Sequence, residues 1–237
     1  MIALTILCAV ACAVLVLAEW RELGRLRIGA KLVASLAFLG VGVLAATAPV
    51  HAGAAPQASL MGLFAHTLDL HAPAFTHWMI AGLALGVVGD IALLGTGKRA
   101  FLAGLTAFLL GHLAYVVGAA QLLPPGQWPA AAELTIVLPL AVAAIALYTL
   151  WPHLGSMKVP VIGYVLAIVA MVVGAFAIVR HGPGSATNRL AIGAILFFAS
   201  DLAVARDKFV ATRFANRAWG LPAYYAGQLM IAWSLAG

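Results

Sequence analysis

The stretch LGVVGDIALLG, residues 85–95, places one carboxylate, Asp90, inside an apolar run, and LFFASDLAVA, residues 196–205, does the same with Asp201. Each run belongs to a longer apolar window of the length that crosses a ~30 Å hydrocarbon core as an α-helix. A charged group there costs about 2.5–3.5 kcal/mol on insertion scales. The two stretches therefore predict membrane helices whose acidic side chains face the bundle interior and serve a function.

The composition of the whole chain points the same way. Of its 237 residues, 65% are hydrophobic and 8% are charged, and the mean hydropathy is +1.08. A soluble domain of this size needs more polar surface than that. We therefore expect an all-α, polytopic membrane protein in which residues 1–237 form a single transmembrane helical domain.

Apolar windows that are long enough to span occur at eight places. They cover residues 2–18, 32–50, 76–95, 100–120, 131–150, 159–179, 190–205 and 219–236. The first lacks the basic n-region and A-x-A-like cleavage site of a signal peptide, so we interpret it as a helix of the bundle. Cys8 and Cys12 lie one turn apart within it and are interpreted as packing residues. The connections 51–75 and 121–130 are longer, and the weak helical period of residues 58–75 favours an interfacial segment.

The basic residues indicate topology rather than nucleic-acid binding, because they are dispersed among short loops. With eight helices, eleven of the thirteen fall on one side of the membrane. The positive-inside bias then places that side in the cytoplasm and both termini outside, in what we expect to be a bacterial inner membrane. The eleven are Arg21, Arg25, Arg27, Lys31, Lys98, Arg99, Lys158, Arg206, Lys208, Arg213 and Arg217.

The two aspartates lie at matching depth in this topology. Each is about five residues, or ~8 Å, from the cytoplasmic end of its helix. Other helices bring polar groups to the same half of the membrane, and we interpret these as candidate substrate-binding residues. They are Lys31, Ser35, Tyr164, Ser200, Tyr224, Tyr225 and Gln228, with His112 and Tyr115 deeper.

Each of these residues also has a structural interpretation. The aspartates could form interhelical hydrogen bonds, the tyrosines could belong to an interfacial aromatic belt, and His112 could be a hydrogen-bonded core residue. Lys31 could act as a topology determinant beside lipid phosphates. Ser200 lacks a G-x-S-x-G context. The histidines show no metal-ligand spacing, so no metal or cofactor is expected.

Four segments resemble the YhhN family of eight-span membrane proteins. They are GLALGVVGDIALL (82–94), FLAGLTAFLLGHLAYVVG (101–118), GAILFFASDLAVARDKF (193–209) and YYAGQLMIAWSL (224–235). The G-D, G-H-x-x-Y, S-D and Y-Y-x-x-Q elements occur in the expected order. The characterised members are lysoplasmalogenases. The resemblance therefore implies a hydrolase that cleaves the vinyl ether bond of lysoplasmenyl-ethanolamine or -choline and releases a fatty aldehyde.

The resemblance also implies that Asp90 and Asp201 are the catalytic pair. Vinyl ether hydrolysis begins with protonation of the β-carbon, and burial in a low-dielectric site favours a protonated carboxyl group. A second, ionised carboxylate can stabilise the oxocarbenium ion and deprotonate water. Asp201 is weakly preferred as the acid. A lysophospholipid entering from the inner leaflet would leave its phosphate near Lys31, Lys98, Arg99, Arg206 and Lys208, with its tail in the apolar outer half.

Two other functions remain open at this point. A proton- or cation-coupled transporter would use the aspartates as carriers, but the Asp-bearing helices contain no proline and suggest no inverted repeat. A metal-dependent intramembrane lipid hydrolase needs several histidines at membrane depth, and only His112 qualifies clearly.

Overall fold

The computed structural model describes residues 1–48, 68–131 and 133–236. Within these ranges the chain forms nine α-helices and no strand. They are α1 (Ile2–Trp20), α2 (Gly24–Thr47), α3 (Pro73–Ala92), α4 (Gly97–Leu122), the single turn α5 (Trp128–Ala131), α6 (Glu133–Leu150), α7 (Lys158–His181), α8 (Ser185–Ala205) and α9 (Phe214–Trp233). The interfacial segment predicted for residues 58–75 lies mostly outside the described residues.

Seven helices are long and apolar enough to cross a membrane, namely α1 to α4 and α6 to α8. This confirms the predicted all-α, multi-pass membrane architecture. The eighth window, 219–236, corresponds to α9, which has 20 residues. This helix is less apolar because it carries buried polar side chains such as Asn216 and Gln228. Its role as an eighth span stays a prediction.

Several helices extend beyond the apolar windows. Helix α2 begins at Gly24 rather than near residue 32, which places Lys31 inside the helix. Helix α8 begins at Ser185 rather than near residue 190. Hydropathy windows end where charges begin, whereas the helical hydrogen bonds continue through the polar turns. Lys31 is therefore held on a regular helix, one turn before Ser35.

The helices pack as sequential hairpins, of which α1–α2, α3–α4 and α8–α9 are the most extensive. Helix α9 also packs against α1 and α2, and α7 packs against α4 and α8. One hydrophobic core connects all the long helices. Helix α6 lies at the periphery, where side chains such as Val137, Leu138 and Ile145 are exposed. Because the bundle ends carrying the α1–α2, α3–α4, α6–α7 and α8–α9 connections coincide, the basic loops meet at one end.

Glycines set how closely neighbouring helices approach. A Cβ added at Gly193 of α8 would lie 2.8 Å from the Gly227 carbonyl oxygen and 3.0 Å from the Ile231 nitrogen of α9. These are backbone atoms, which cannot move without separating the helices. A Cβ at Gly89 would lie 2.7 Å from the Phe108 ring. The small residue before Asp90 therefore admits an aromatic side chain of α4.

Gly193→Ala is expected to lower the free energy of unfolding by about 1–3 kcal/mol, the usual cost of overpacking. The thermal midpoint in detergent can be followed with a thiol-reactive dye, because Cys8 and Cys12 are both free and buried. Gly163→Ala in α7 is the matched control, since a Cβ there meets no atom of the described part of the chain within 4 Å. Equal midpoints for the two variants would contradict the close α8–α9 contact.

Candidate active site

Asp90, near the end of α3, is surrounded by groups that favour its ionised form. Lys31 Nζ lies 3.1 Å from Oδ1. Ser35 Oγ donates to Oδ2 at 2.7 Å, and the Tyr225 hydroxyl donates to the same oxygen at 3.4 Å. The Asp90 side chain is only 4% exposed. A buried carboxylate with an ammonium partner and two hydroxyl donors is stable as an anion.

Asp201, near the end of α8, has a different set of partners. The Tyr164 hydroxyl of α7 donates to Oδ1 at 3.2 Å, and His112 Nε2 of α4 lies 3.1 Å from Oδ2. These two atoms are within ion-pair distance, and both are buried without a hydrogen-bond partner among the described residues. The His112–Asp201 contact is therefore close but is not a well-formed hydrogen bond.

The other ring nitrogen of His112 determines where its hydrogen sits. Nδ1 lies 2.7 Å from the Phe108 carbonyl oxygen, and a carbonyl can only accept, so Nδ1 carries a hydrogen. Nε2 then faces Asp201 Oδ2 either as a lone pair or as a second N–H. A lone pair opposite a carboxylate at 3.1 Å would be repulsive. The favourable states therefore hold one additional proton, on the Asp201 carboxyl or on His112.

A third group of polar side chains lies in the interior. The Tyr115 hydroxyl donates to Gln228 Oε1 at 2.8 Å, and Gln228 Nε2 donates to the Tyr224 hydroxyl at 3.4 Å. A Cβ at Gly86 of α3 would lie 2.6 Å from Gln228 Nε2 and 3.0 Å from the Tyr224 hydroxyl. Gly86 thus leaves the space that this chain of hydrogen bonds occupies. These hydrogen bonds hold Tyr224 in one orientation.

Both aspartates line one cavity of about 340 Å³. This volume falls within the range of roughly 300–1,000 Å³ that is usual for ligand pockets. Lys31, Ser200 and Tyr224 also line it. Phe108 and Phe197 form apolar wall, with ring centroids 6.2 Å apart. The cavity therefore exposes two carboxyl groups with unlike partners to the same bound molecule.

A second, apolar cavity of about 60 Å³ adjoins Asp201 between α4, α6, α7 and α8. Leu93, Phe101, Phe108 and Val204 line both cavities. The remaining wall is apolar apart from Tyr164, and α6 contributes Ala143, Ala146 and Leu150 to it. Apolar space next to the site thus lies at the same end of the bundle as the aspartates, beside the peripheral helix α6.

The structure divides the predicted site residues into two groups. Cavity-lining residues are Lys31, Asp90, Tyr164, Ser200, Asp201 and Tyr224. Of the others, Ser35, His112, Tyr225 and Gln228 contact these through hydrogen bonds or the His112–Asp201 contact, and Tyr115 donates a hydrogen bond to Gln228. Ser200 Oγ donates to the Phe197 carbonyl oxygen of its own helix at 2.7 Å. Its hydroxyl is therefore satisfied locally and does not contact either aspartate.

Sequence analysis did not predict which charged side chains line the cavity at the end where the basic loops lie. Glu19, Arg27, Asp207 and Arg217 all line it. They lie in or beside the α1–α2 and α8–α9 connections, where charges are ordinarily topology determinants. The alternation of sign in 206–208 and the acidic Glu19 beside a basic loop were the only signals. Of the residues expected near the phosphate, Lys31 and Lys208 line the cavity.

In the part of the chain that the structure describes, no three His, Cys, Asp or Glu side chains form a group that could hold a metal ion. The nearest approach to such a site is the pair His112 and Asp201. The polar groups that line the cavity include carboxyl, ammonium, guanidinium and phenol groups.

Comparison with known proteins supports the resemblance seen in the sequence. Residues 50–235 match the model of the YhhN family. A lysoplasmalogenase of Mycobacterium bovis is 33% identical over 161 residues, which is 65% of this chain and 58% of the relative. Lysoplasmalogenase TMEM86A of Bos taurus is 29% identical over 178 residues, 73% of this chain and 71% of the relative. The chain thus spans less than two thirds of the mycobacterial relative.

No solved structure matches the chain. The family match covers both aspartates and the segments from α3 to α9 that hold them. The chain belongs to the YhhN family.

Proposed function

We propose that this protein is a lysoplasmalogenase, an ether hydrolase that converts a lysoplasmalogen and water to a fatty aldehyde and a glycerophospho-alcohol. The observation that carries the proposal is the unlike pair of carboxyl groups on one cavity wall. Asp90 is paired with Lys31, whereas Asp201 faces His112 in a contact that needs an added proton. The 33% and 29% identical relatives named lysoplasmalogenase support the same activity.

The first step uses the proton of the Asp201–His112 pair. Asp201 donates it to the β-carbon of the vinyl ether, and the C=C π electrons form the new C–H bond. Positive charge develops on the α-carbon and is shared with the ether oxygen as an oxocarbenium ion. The Asp90 carboxylate stabilises this cation across the cavity, since opposite charges attract strongly where water is scarce. The Tyr164 hydroxyl, which donates a hydrogen bond to Asp201 Oδ1, stabilises the Asp201 carboxylate after the proton has been transferred.

The second step adds water to the oxocarbenium carbon. Asp90 accepts a proton from the attacking water, and a neutral hemiacetal forms. On collapse, Asp90 returns its proton to the departing glycerol oxygen while the hemiacetal hydroxyl gives its proton to Asp201. The C–O bond to glycerol breaks and the carbonyl of the aldehyde forms. Both carboxyl groups then have their starting protonation, so the cycle consumes only substrate and water.

The first carbons of the hydrocarbon tail occupy the small apolar cavity beside Asp201. This differs from the expected position in the outer half, where side chains such as Phe75, Met79 and Ile178 are fully buried in the core. A tail leaving between α4 and α6 would reach the lipid laterally, past the peripheral helix. The vinyl ether, next to the tail, would then lie at the level of the two aspartates.

Ala143→Leu is expected to shorten the longest alkenyl chain that is turned over efficiently. Ala143 is buried and lines the apolar cavity, so a larger side chain fills space otherwise open to the tail. With a C18 substrate we expect a rise in KM of about tenfold, the loss of one or two buried methylenes at ~0.8 kcal/mol each. Ala144→Leu on the exposed face of α6 is the matched control. Unchanged chain-length preference in Ala143→Leu would exclude this tail site.

The positive-inside bias supports an inner-leaflet entrance. We propose that α9 is the eighth span, that both termini are outside, and that the end bearing both cavities faces the cytoplasm of a bacterial cell. Substrate released in the inner leaflet then reaches the cavity without crossing the membrane.

The test of the function is aldehyde release by purified protein in detergent, measured with a coupled dehydrogenase. We expect activity on lysoplasmenyl lipids and none on lysophospholipids with an ester bond. In D2O the aldehyde should carry one deuterium at C2, because the first proton goes to the β-carbon. Activity that disappears with a chelator would favour a metal-dependent hydrolase. A proteoliposome that takes up cations without releasing aldehyde would favour a transporter.

A further inference from the structure

Charged side chains of both signs form the end of the larger cavity that lies at the basic loops. We call Glu19, Arg27, Asp207, Lys208 and Arg217 the mouth, since all five line the cavity and lie at helix ends. Arg217 Nη1 donates to Glu19 Oε2 at 2.9 Å, and Arg217 Nε lies 3.4 Å from Asp207 Oδ2. Arg27 Nη1 is 3.9 Å from Glu19 Oε1. The mouth therefore alternates cations and anions across the gap between α1–α2 and α8–α9.

The cations of the mouth are not equally engaged. Arg217 is held between two carboxylates, whereas Arg27 has one long contact and a buried Nε for which the described residues provide no hydrogen-bond partner. Lys208 Nζ rests 4.4 Å from the centre of the Phe101 ring and contacts no carboxylate within ion-pair distance among the described residues. Arg27 and Lys208 thus retain donors for an anion. A guanidinium and an ammonium are the groups that bind phosphate.

The two anions of the mouth differ in the acceptor capacity that they have left. A carboxylate offers about four lone-pair directions. Asp207 uses all of them, because Oδ1 accepts from the Arg213 backbone N–H at 3.0 Å and from Asn216 Nδ2 at 3.3 Å, and Oδ2 accepts from Arg217 Nε and Nη2, both at 3.4 Å. Glu19 uses its two oxygens on Arg217 and, distantly, Arg27. Glu19 is therefore held in place and can accept further N–H donors.

We propose, building on the lysoplasmalogenase function, that the mouth binds the head group and makes the protein selective for ethanolamine over choline. Arg27 and Lys208 bind the phosphate, while Glu19 binds the ammonium. In this arrangement the negative phosphate of the head group contacts cations, and its positive ammonium contacts a carboxylate.

The preference for ethanolamine follows from the chemistry of the two cations. A primary ammonium donates three hydrogen bonds, and carboxylates accept them. A trimethylammonium has no N–H and is recognised by aromatic faces. The Phe101 ring beside the mouth already carries Lys208 on its face. Choline would therefore desolvate the Glu19 carboxylate without giving it a hydrogen bond.

The experiment is a head-group series with the purified full-length protein. Substrates of one alkenyl chain carry ethanolamine, its N-methyl and N,N-dimethyl forms, or choline, and 1-alkenylglycerol serves as the form without a head group. We expect kcat/KM to fall along the series, about tenfold or more in all, as charged hydrogen bonds are lost. Equal kcat/KM for ethanolamine and choline would overturn the proposal.

Variants assign the charges to residues. Arg27→Gln should raise KM for every phosphorylated substrate several-fold, leave kcat nearly unchanged, and leave 1-alkenylglycerol unaffected. Glu19→Gln should bring the ethanolamine-to-choline ratio close to one. Arg25→Gln and Glu22→Gln, exposed residues of the same connection that do not line the cavity, are the matched controls. An Arg27→Gln effect that is equally large on 1-alkenylglycerol would show a structural role instead.

Failure of the underlying function has a separate signature. If no member of the series releases aldehyde, 1-alkenylglycerol included, both proposals fall. If all members react at the same rate, the hydrolase stands and the head-group site does not. Should Glu19→Gln fail to fold because Arg217 loses its partner, the series with the unmodified protein still decides the question.

Discussion

Asp201→Asn is expected to reduce aldehyde release to background. General acid catalysis contributes about 10²–10⁴-fold, and an amide cannot transfer a proton to carbon at neutral pH. The fold should persist, because asparagine still accepts from Tyr164 and can donate to His112 Nε2 through its amide nitrogen. The measurement is kcat for a lysoplasmenyl lipid together with the thermal midpoint. We expect the first to collapse and the second to change little.

Asp69→Asn is the matched control for this substitution. Asp69 lies before α3 at the opposite end of the bundle, where it accepts from the His71 backbone N–H at 2.9 Å. The same loss of charge there should leave turnover unchanged. Near-normal aldehyde release by Asp201→Asn would remove Asp201 from the role of proton donor.

Asp90→Asn is expected to impair both turnover and stability. The substitution leaves the Lys31 ammonium, 11% exposed, opposite a neutral amide. Breaking a buried pair by removing one partner costs about 3–5 kcal/mol. Catalysis falls as well, because the cavity loses the anion that faces the oxocarbenium ion and accepts the proton of water. The thermal midpoint and kcat should therefore both decrease.

The double variant Lys31→Met, Asp90→Asn separates the two effects. Removing both charges together should restore much of the thermal midpoint, since no unpaired charge remains, but it should not restore aldehyde release. Lys31→Met alone tests the converse, an unpaired carboxylate that keeps Ser35 and Tyr225 as donors. Recovery of turnover in the double variant would mean that Asp90 serves only to neutralise Lys31.

The helical spacing of polar residues and the positions of the charged residues predicted much of where the site lies. The positions of Asp90 and Asp201 within their windows implied one depth, and both side chains do line one cavity. Lys31 and Ser35 are four residues apart, a spacing that puts two side chains on one face of a helix, and both contact Asp90. The same spacing of Tyr224 and Gln228 brings these side chains within 3.4 Å. Such relations depend only on helix geometry.

The assignment of partners could not be predicted. Whether His112 contacts Asp90 or Asp201 depends on how α4 is rotated against α3 and α8, which close approaches at positions such as Gly89 determine. The charged mouth was missed for a different reason. Arg27 and Arg217 lie in the first turns of α2 and α9, next to connections where the positive-inside bias already explains a basic residue, so nothing in the sequence separates them from Arg25 or Arg213.

The contact between Glu19 and Arg217 joins the first long helix to the last one, and Tyr225 of α9 completes the surroundings of Asp90. The pocket is therefore complete only after α9 has been synthesised and has packed against α1 to α3. Until then Asp90 lacks the Tyr225 hydroxyl, and the mouth lacks Arg217. The proposed hydrolase would accordingly begin to act on surrounding lipids only once α9 has joined the bundle.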